Sequence, residues 1–183
     1  MTSSAPADLP ESSRRLAGSV PGLDLSIRVF PEGTKTAKDA AAAIGCPVSA
    51  IVKSLVFVLE TNDGDEPVVA LVPGDLLLDT AKLAMVSGTH SARRATLDEV
   101  RSATGFAAGG TPPFGHAADL RVCADPLLRR NDPVWAAAGT PTTVFPIALS
   151  DLDRLAAPVW VDITRPEGTN GFPYGHGVNT IAG

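Results

Sequence analysis

The nine residues Ile51–Leu59, with the sequence IVKSLVFVL, decide the fold class of this chain. Their apolar side chains fall on both faces of an extended strand, which is typical of a strand in the middle of a sheet. A polar turn over residues 61–66 separates them from a second apolar run, residues 68–72 (VVALV). The two runs therefore predict a β-hairpin at the centre of the sheet.

Three helices are predicted around this hairpin from the residues at their ends. Threonine is a good N-cap, an acidic residue three positions later completes a capping box, and glycine ends a helix. The predicted helices are residues 37–44 with Thr36, Asp39 and Gly45, residues 79–86 with Gly88, and residues 97–104 with Thr96, Glu99 and Gly105.

Shorter apolar runs predict the remaining strands. Strands outnumber helices, and the helices are clustered, which indicates an α/β or α+β domain around a mostly antiparallel sheet. The runs are residues 23–30, 120–124, 134–138, 143–147 and 159–163, and Ser150 is predicted to cap a short helical turn.

The two ends of the chain differ in composition from its middle. Residues 1–21 are rich in Ser, Ala and Pro, and residues 165–183 are polar and rich in glycine. Both ends are predicted to be flexible tails, so that the folded domain covers residues 22–164.

Composition narrows the classes of function. The chain has 183 residues, of which 44% are hydrophobic, and no apolar run approaches the roughly 20 residues of a membrane-spanning helix. Residues 1–21 lack the apolar segment of a secretory signal, so a cytoplasmic location is expected. The net charge of −5 argues against broad contact with a nucleic-acid backbone, but it permits a small site that grips a terminal nucleotide.

Cysteine and histidine residues give no metal site or disulfide framework. Cys46 and Cys123 form no CxxC pair, and the three histidines His90, His116 and His176 do not stand at metal-ligand spacing. No metal or cofactor is therefore expected.

Lys53 is the first candidate for chemistry. Side chains alternate along a strand, so Lys53 shares a face with Ile51 and Leu55, and lysine is seldom buried without a partner. Its ammonium either extends to solvent at the strand end or is held for an anion or a carbonyl. The pattern alone favours the first alternative.

The second candidate is the loop at residues 105–116, GFAAGGTPPFGH. Glycines let the backbone approach a ligand closely and prolines stiffen it, so exposed N–H groups can hold an anion or an oxyanion. A tight structural connector explains the same residues equally well. Neither a P-loop nor a GxSxG nucleophile motif is present, and His116 is interpreted as an anchor of the loop slightly ahead of a catalytic base.

Four stretches taken in order resemble the YbaK/EbsC family, which includes the insertion domain of bacterial prolyl-tRNA synthetases. They are TAKDAAAAIG, IVKSLVFV, VVALVPGDLLLDTAKLA and TGFAAGGTPPFGH. The resemblance implies an α/β domain whose mixed sheet curls into a partly open barrel. It also implies hydrolysis of mischarged aminoacyl-tRNA, with tRNA-Pro or a related tRNA as substrate, by an ordered water or by groups of the substrate and without a metal.

Site residues follow from the same resemblance. It implies catalytic roles for Lys53, Gly109 and Gly110, and the family's GxxxP element falls on Gly109 and Pro113. The implied partner is the acceptor end of aminoacyl-tRNA, with a synthetase as a further partner, and Arg93 and Arg94 are expected to add grip on the RNA. The residues expected to bind substrate are Thr111, Pro113, Gly115 and His116.

Two alternatives remain at this stage. One is a non-catalytic module of the same fold that binds tRNA or a synthetase. The other is a hydrolase of small esters, which the acidic composition favours mildly. The residues of the amino-acid pocket are not carried over, because the stretch GTPTTVFPIALSDL departs from some members of the family.

Overall fold

The computed structural model describes residues 8–30 and 36–168, which contain five α-helices and ten strands. The helices are α1 (Glu11–Gly18), α2 (Ala37–Ile44), α3 (Thr80–Ser87), α4 (Leu97–Thr104) and α5 (Leu149–Ala156). The strands are β1 (Arg28–Val29), β2 (Ile51–Thr61), β3 (Gly64–Pro73), β4 (Leu76–Leu78), β5 (Ser91–Arg94), β6 (Arg121–Ala124), β7 (Val134–Ala137), β8 (Thr143–Ile147), β9 (Val159–Trp160) and β10 (Thr164–Pro166).

The main sheet has the order β1-β8-β7-β2-β3-β6-β9, with β5 also paired to β2. The pairs β2–β7, β3–β6 and β6–β9 are parallel, and the other four pairs are antiparallel. The path of strands is not closed. The predicted fold class, a mixed and mostly antiparallel sheet in an open arrangement with flanking helices, is confirmed.

One edge of β2 is divided between two partners. Along one edge, β2 pairs with β3 from Val52 to Thr61. On the opposite edge, β7 pairs only with Ile51 and Val52, and β5 pairs only from Phe57 onward. On this edge, residues 53–55 thus have no strand beside them among the described residues. The divergence of β7 and β5 opens the sheet beside Lys53.

The core lies on both faces of the central hairpin. Val69 and Leu71 of β3 face a large cluster that includes Phe106 and Phe145. The neighbouring Val68, Ala70 and Val72 face a second cluster with Leu59 and Leu83, and residues 68–72 are fully buried. Burial on both faces explains why residues 68–72 are all apolar.

Helix ends confirm the capping predictions. Thr36 and Asp39 form a reciprocal capping box on α2, and Thr96 and Glu99 do the same on α4. Asp79 caps α3 by accepting from two backbone N–H groups. Glycines in the left-handed conformation end all three helices, because only glycine adopts that conformation without strain.

The prediction of a flexible tail over residues 1–21 is wrong for residues 8–21. Helix α1 forms there, and its Leu16 is 1% exposed in the large core cluster together with Leu9 and Val20. These three apolar side chains are too few to give a clear periodic pattern, yet they are enough to fix the helix on the core.

Smaller differences concern the predicted ends of elements. The strand predicted at 23–30 is reduced to β1, that at 159–163 to β9, and the short strands β4 and β5 were not predicted. Residues 164–166 form β10 beside β4, whereas residues 169–183 of the predicted tail lie outside the described residues. Ser150 is not a cap, since α5 begins at Leu149, whose N–H donates to Asp132. No helix in the described part of the chain is long and apolar enough to cross a membrane.

Candidate active site

A cavity of about 490 Å³ lies where β7 and β5 diverge from β2. This volume suits a small organic ligand. Its wall brings together the middle of β2, strand β7, the start of α2 and part of the glycine-rich loop. The main lining residues are Thr36, Ala37, Lys38, Ala40, Ile51–Leu55, Gly74, Arg94, Gly109, Thr111, Trp135–Ala137, Val144 and Glu167.

Lys53 lines this cavity from the part of β2 that has no strand on the edge facing β5 and β7. Its Nζ donates a hydrogen bond to the carbonyl of Leu76. Burial lowers the pKa of Lys53 from its ordinary value of 10.5, an effect that the negative charges of Glu167 and Asp75 partly oppose. Lys53 is therefore a half-buried ammonium at a cavity wall, and it does not simply extend to solvent at a strand end.

Gly109 and Thr111 bring the glycine-rich loop to the same cavity. Gly109 is exposed with φ +83°, a conformation that favours glycine. Neither its N–H nor that of Thr111 donates to another group within the described residues. These two N–H groups are available to donate hydrogen bonds to a negatively charged or carbonyl oxygen.

Gly110, for which a catalytic role is expected from the resemblance, does not line the cavity. Its N–H donates to the carbonyl of Ala107 at 3.0 Å, and its own carbonyl accepts from Gly139 N–H at 2.9 Å. A Cβ at Gly110 would lie 2.6 Å from the Cα of Thr140. The N–H of Gly110 is thus occupied, and this glycine permits the close packing of the loop against the β7–β8 connection.

Pro113, Gly115 and His116 do not line the cavity. A Cβ at Gly115 would lie 2.9 Å from Ser19 Oγ, so this glycine allows α1 to pack under the loop. His116 Nε2 donates to the carbonyl of Pro112 at 2.9 Å, and burial lowers the pKa of the imidazole from 6.5. The geometry of His116 matches the anchoring role favoured by the sequence.

Phe106 and Phe114 fix the loop to the protein interior. Phe106 is 1% exposed, and the guanidinium of Arg15 lies 4.2 Å from its ring centroid. Phe114 packs edge to face on Phe145 with ring centroids 5.8 Å apart. The segment between these two aromatic anchors is therefore held in one place relative to Lys53.

The adjacent Arg93 and Arg94 differ in availability. Arg93 forms ion pairs with Asp65 and Glu99 at 2.9 and 2.8 Å, and its hydrogen bonds lower the pKa of Glu99 to about 2. Arg94 lines the cavity and forms no ion pair with any described carboxylate. The expectation that both grip RNA stays a prediction, and it is weaker for Arg93, whose charge is already paired with two carboxylates.

Several cavity residues were missed by reasoning from the sequence. Gly74 is packed so closely that a Cβ would collide with the carbonyl of Val48 and lie 3.0 Å from the Cβ of Ala37 at the start of α2, and Trp135 stacks on Arg28. Glu167 falls in the segment predicted to be a tail. Only the crossing of β10 beside β4 places it at the cavity, and no local sequence pattern reports such a pairing.

Metal ligands are not grouped in the described part of the chain. Within residues 8–30 and 36–168, no cluster of three or more His, Cys, Asp or Glu residues could hold an ion. The chemistry derived below uses only the groups named above.

Known proteins resemble this chain in sequence. Residues 31–155 match the family model of the aminoacyl-tRNA editing domain. The chain is 31% identical over 137 residues to the uncharacterized protein YwhH of Bacillus subtilis (strain 168), covering 74% of this chain and 85% of that protein. It is 32% identical over 114 residues to the multifunctional Ser/Thr-tRNA deacylase ProXp-y of Escherichia coli (strain K12), covering 62% of this chain and 68% of that protein.

Two further matches involve prolyl-tRNA synthetase. A crystal structure described as a candidate trans-editing enzyme for this synthetase superposes with a TM-score of 0.78 at 38% identity, covering 86% of this chain and 99% of that one. The proline–tRNA ligase of Nitratidesulfovibrio vulgaris (strain Hildenborough) is 39% identical over 103 residues, covering 56% of this chain. The chain spans only 17% of that ligase's length.

These matches confirm the family, the fold and the enzyme class expected from the sequence, which is an editing enzyme that deacylates aminoacyl-tRNA. The chain belongs to the aminoacyl-tRNA editing domain family.

Proposed function

We propose that this chain hydrolyses the ester bond of mischarged aminoacyl-tRNA in trans, at the cavity formed by Lys53, Gly109 and Thr111. The observation that carries the proposal is the meeting of a half-buried ammonium and two free backbone N–H groups at one cavity. Such groups stabilise the negative charge that develops on an ester carbonyl oxygen during hydrolysis.

The reaction requires water to attack the ester carbonyl carbon. The resulting tetrahedral intermediate carries a negative oxygen, which the N–H groups of Gly109 and Thr111 stabilise by hydrogen bonds. The bond between the carbonyl carbon and the ribose oxygen then breaks, and the ribose oxygen takes up the proton that the attacking water has lost. The products are a free amino acid and tRNA with an intact terminal ribose.

Lys53 is proposed to hold the carbonyl oxygen or the terminal phosphate. Its hydrogen bond to Leu76 leaves two of its three N–H donors for substrate. Because desolvation strengthens electrostatic interactions, a half-buried ammonium acts more strongly on such an oxygen than an exposed one does.

Editing by a separate domain has a simple physical reason. A synthetase pocket cannot strongly reject an amino acid that is similar in size or smaller, so a second site must hydrolyse the wrong product. tRNA-Pro is the first tRNA to test, since a structure described as a candidate trans-editing enzyme for prolyl-tRNA synthetase is 38% identical. The proposed site lies within this chain, so hydrolysis does not depend on a bound synthetase.

A deacylation panel tests the proposal. Purified protein is incubated with tRNA-Pro charged with alanine, serine, threonine or cysteine, and with the corresponding cognate aminoacyl-tRNAs. We expect release from at least one mischarged tRNA and a strong loss of that release in Lys53→Ala.

Each opposing result has a definite meaning. Absence of release from all substrates contradicts the proposal and favours a non-catalytic binding module. Equal hydrolysis of simple amino acid esters without tRNA contradicts the tRNA substrate and favours a small-ester hydrolase. Release that is unaffected in Lys53→Ala contradicts the role given to Lys53.

A further inference from the structure

Glu167 contributes a carboxylate to a cavity that otherwise presents cations. The charged residues that line the cavity are Lys38, Lys53, Arg94 and Glu167. Asp75 also acts on Lys53 through its charge, but both of its oxygens accept hydrogen bonds from Arg130, at 2.8 and 3.1 Å. Glu167 is therefore the lining carboxylate that can bind a positively charged group of a substrate.

The position of Glu167 is fixed by strand pairing. In the antiparallel pair of β10 and β4, Pro166 lies opposite Leu76, whose carbonyl accepts the hydrogen bond from Lys53. Glu167 follows directly and thus stands at the cavity close to Lys53. It lies beyond the family match, which ends at residue 155, so it is a feature of this chain's C-terminal segment.

An ammonium group already lies beside this carboxylate. The Nζ of Lys38 is 3.8 Å from Glu167 Oε2, and the two side chains are 76% and 65% exposed. An ion pair so long and so exposed contributes little to stability. Another ammonium can therefore replace Lys38 at Glu167 at small cost.

The aminoacyl ester carries such a group. Its α-ammonium is separated from the ester carbonyl carbon by a single carbon atom. If Lys53 and the loop N–H groups hold the carbonyl oxygen, the α-ammonium must lie within a few ångströms of the same place, and it is repelled by Lys53 unless a carboxylate compensates. Glu167 is placed to provide that compensation.

We propose that Glu167 binds the α-ammonium group of the aminoacyl ester and makes the site selective for a free amino acid over an α-hydroxy acid of the same shape. The proposal rests on the proposed function, and it deepens that function by naming the group of the substrate that is recognised. It assigns Glu167 to substrate binding, with no part in bond breaking.

The test compares two esters that differ in one group. The aminoacyl-tRNA hydrolysed fastest in the deacylation panel is treated with nitrous acid, which replaces the α-amino group by a hydroxyl; seryl-tRNA, for example, becomes glyceryl-tRNA. Both are assayed at about pH 6.5, below the α-amino pKa of about 7.7–8.0. Wild type, Glu167→Gln and the control Glu66→Gln are compared.

Glu66→Gln is a matched control because Glu66 is also an exposed carboxylate in a long ion pair, 3.5 Å from Arg121, and does not line the cavity. We expect Glu167→Gln to lower kcat/KM for the aminoacyl-tRNA about 10-fold, mainly through KM, and to leave the hydroxyacyl-tRNA unchanged. Glu66→Gln should change neither value.

Two results overturn the inference. An equal loss on both substrates indicates a structural role for Glu167, and an equal rate on both substrates in all variants indicates that the α-ammonium is not recognised. Binding of a hydrolysis-resistant amide analogue of the terminal aminoacyl-adenosine, with and without its α-amino group, tests the inference separately from catalysis. Failure of deacylation together with amine-selective, Glu167-dependent binding contradicts the proposed function and supports this inference.

Discussion

The ammonium of Lys53 donates a hydrogen bond to the backbone carbonyl of Leu76, a residue of the short strand that pairs with the C-terminal end of the described chain. This contact joins the proposed reacting group on β2 to the segment that carries Glu167. It also keeps the Lys53 ammonium inside the cavity even though burial disfavours its charge.

Lys53→Met is expected to lower kcat/KM by about 100-fold or more, as the loss of a donor to a developing oxyanion does. The substitution keeps the apolar stem and removes a charge that burial disfavours, so the free energy of unfolding should stay equal or rise. Deacylation rates and urea unfolding measure the two effects. Arg154→Met is the control: Arg154 pairs with Asp151 outside the cavity, and its loss should leave activity intact. A large fall in the stability of Lys53→Met would contradict this prediction.

Gly110→Ala is expected to lower both stability and activity. The added Cβ would lie 2.6 Å from the Cα of Thr140, which is backbone and cannot move aside without shifting the loop. We expect the unfolding free energy to fall by about 1–3 kcal/mol, as at other overpacked sites. The fall in kcat/KM, expressed as a free energy, should be larger. Gly18→Ala serves as the control, because a Cβ there meets nothing within 4 Å. Wild-type stability in Gly110→Ala would show that the loop is not packed as described.

Arg94→Gln and Arg93→Gln are expected to differ in their effect on tRNA binding. Arg94 lines the cavity and pairs with no described carboxylate, so its removal should raise KM for aminoacyl-tRNA. The slope of log binding constant against log salt concentration should fall by the amount that about one phosphate contact contributes. Arg93 is held by Asp65 and Glu99, so its removal should leave the salt dependence unchanged. Measurement of Kd at several salt concentrations distinguishes them. A larger change in salt dependence for Arg93→Gln would reverse the assignment.

His116→Gln is expected to weaken the loss of stability in mild acid. Burial lowers the pKa of His116 in the folded protein below its ordinary 6.5, so the unfolded chain binds the proton more readily. The stabilising contribution of neutral His116 is complete above the unfolded pKa, and it is lost as the pH falls through the folded pKa. Glutamine keeps an N–H donor for Pro112 and does not titrate. Urea unfolding between pH 8 and pH 5 should show a shallower decline in the variant, and a decline as steep as that of the wild type would contradict the prediction.

Much of the fold follows from local sequence, because capping residues and apolar runs act over short distances. Thr36 with Asp39 and Thr96 with Glu99 predict α2 and α4 to the residue, and the apolar hairpin predicts β2 and β3. The N-terminal helix was missed since its stabilisation comes from packing of Leu16 on a distant core. The start of α5 was misassigned because its first N–H is capped by Asp132, seventeen residues away, and not by Ser150.

The candidate site was predictable only in part, because local sequence patterns act over short distances. Lys53, Gly109 and Thr111 meet at the cavity as the family resemblance implies, although the patterns of the two segments could not show that they meet. Gly110, Gly115 and His116 turn out to shape and anchor the loop. Glu167 could not be identified, because its place depends on the pairing of two three-residue strands far apart in sequence.

The hydrogen bond from Gly139 N–H to the Gly110 carbonyl and the burial of Phe106 and Phe114 lower the entropy cost of binding substrate. A free loop of this length would lose conformational entropy each time a substrate bound, at about 1–2 kcal/mol for every residue ordered. Here that loss occurs once, when the chain folds. Encounter with the acceptor end therefore needs no further ordering of residues 109–111, and more of the interaction energy with the tRNA is left for discrimination between amino acids.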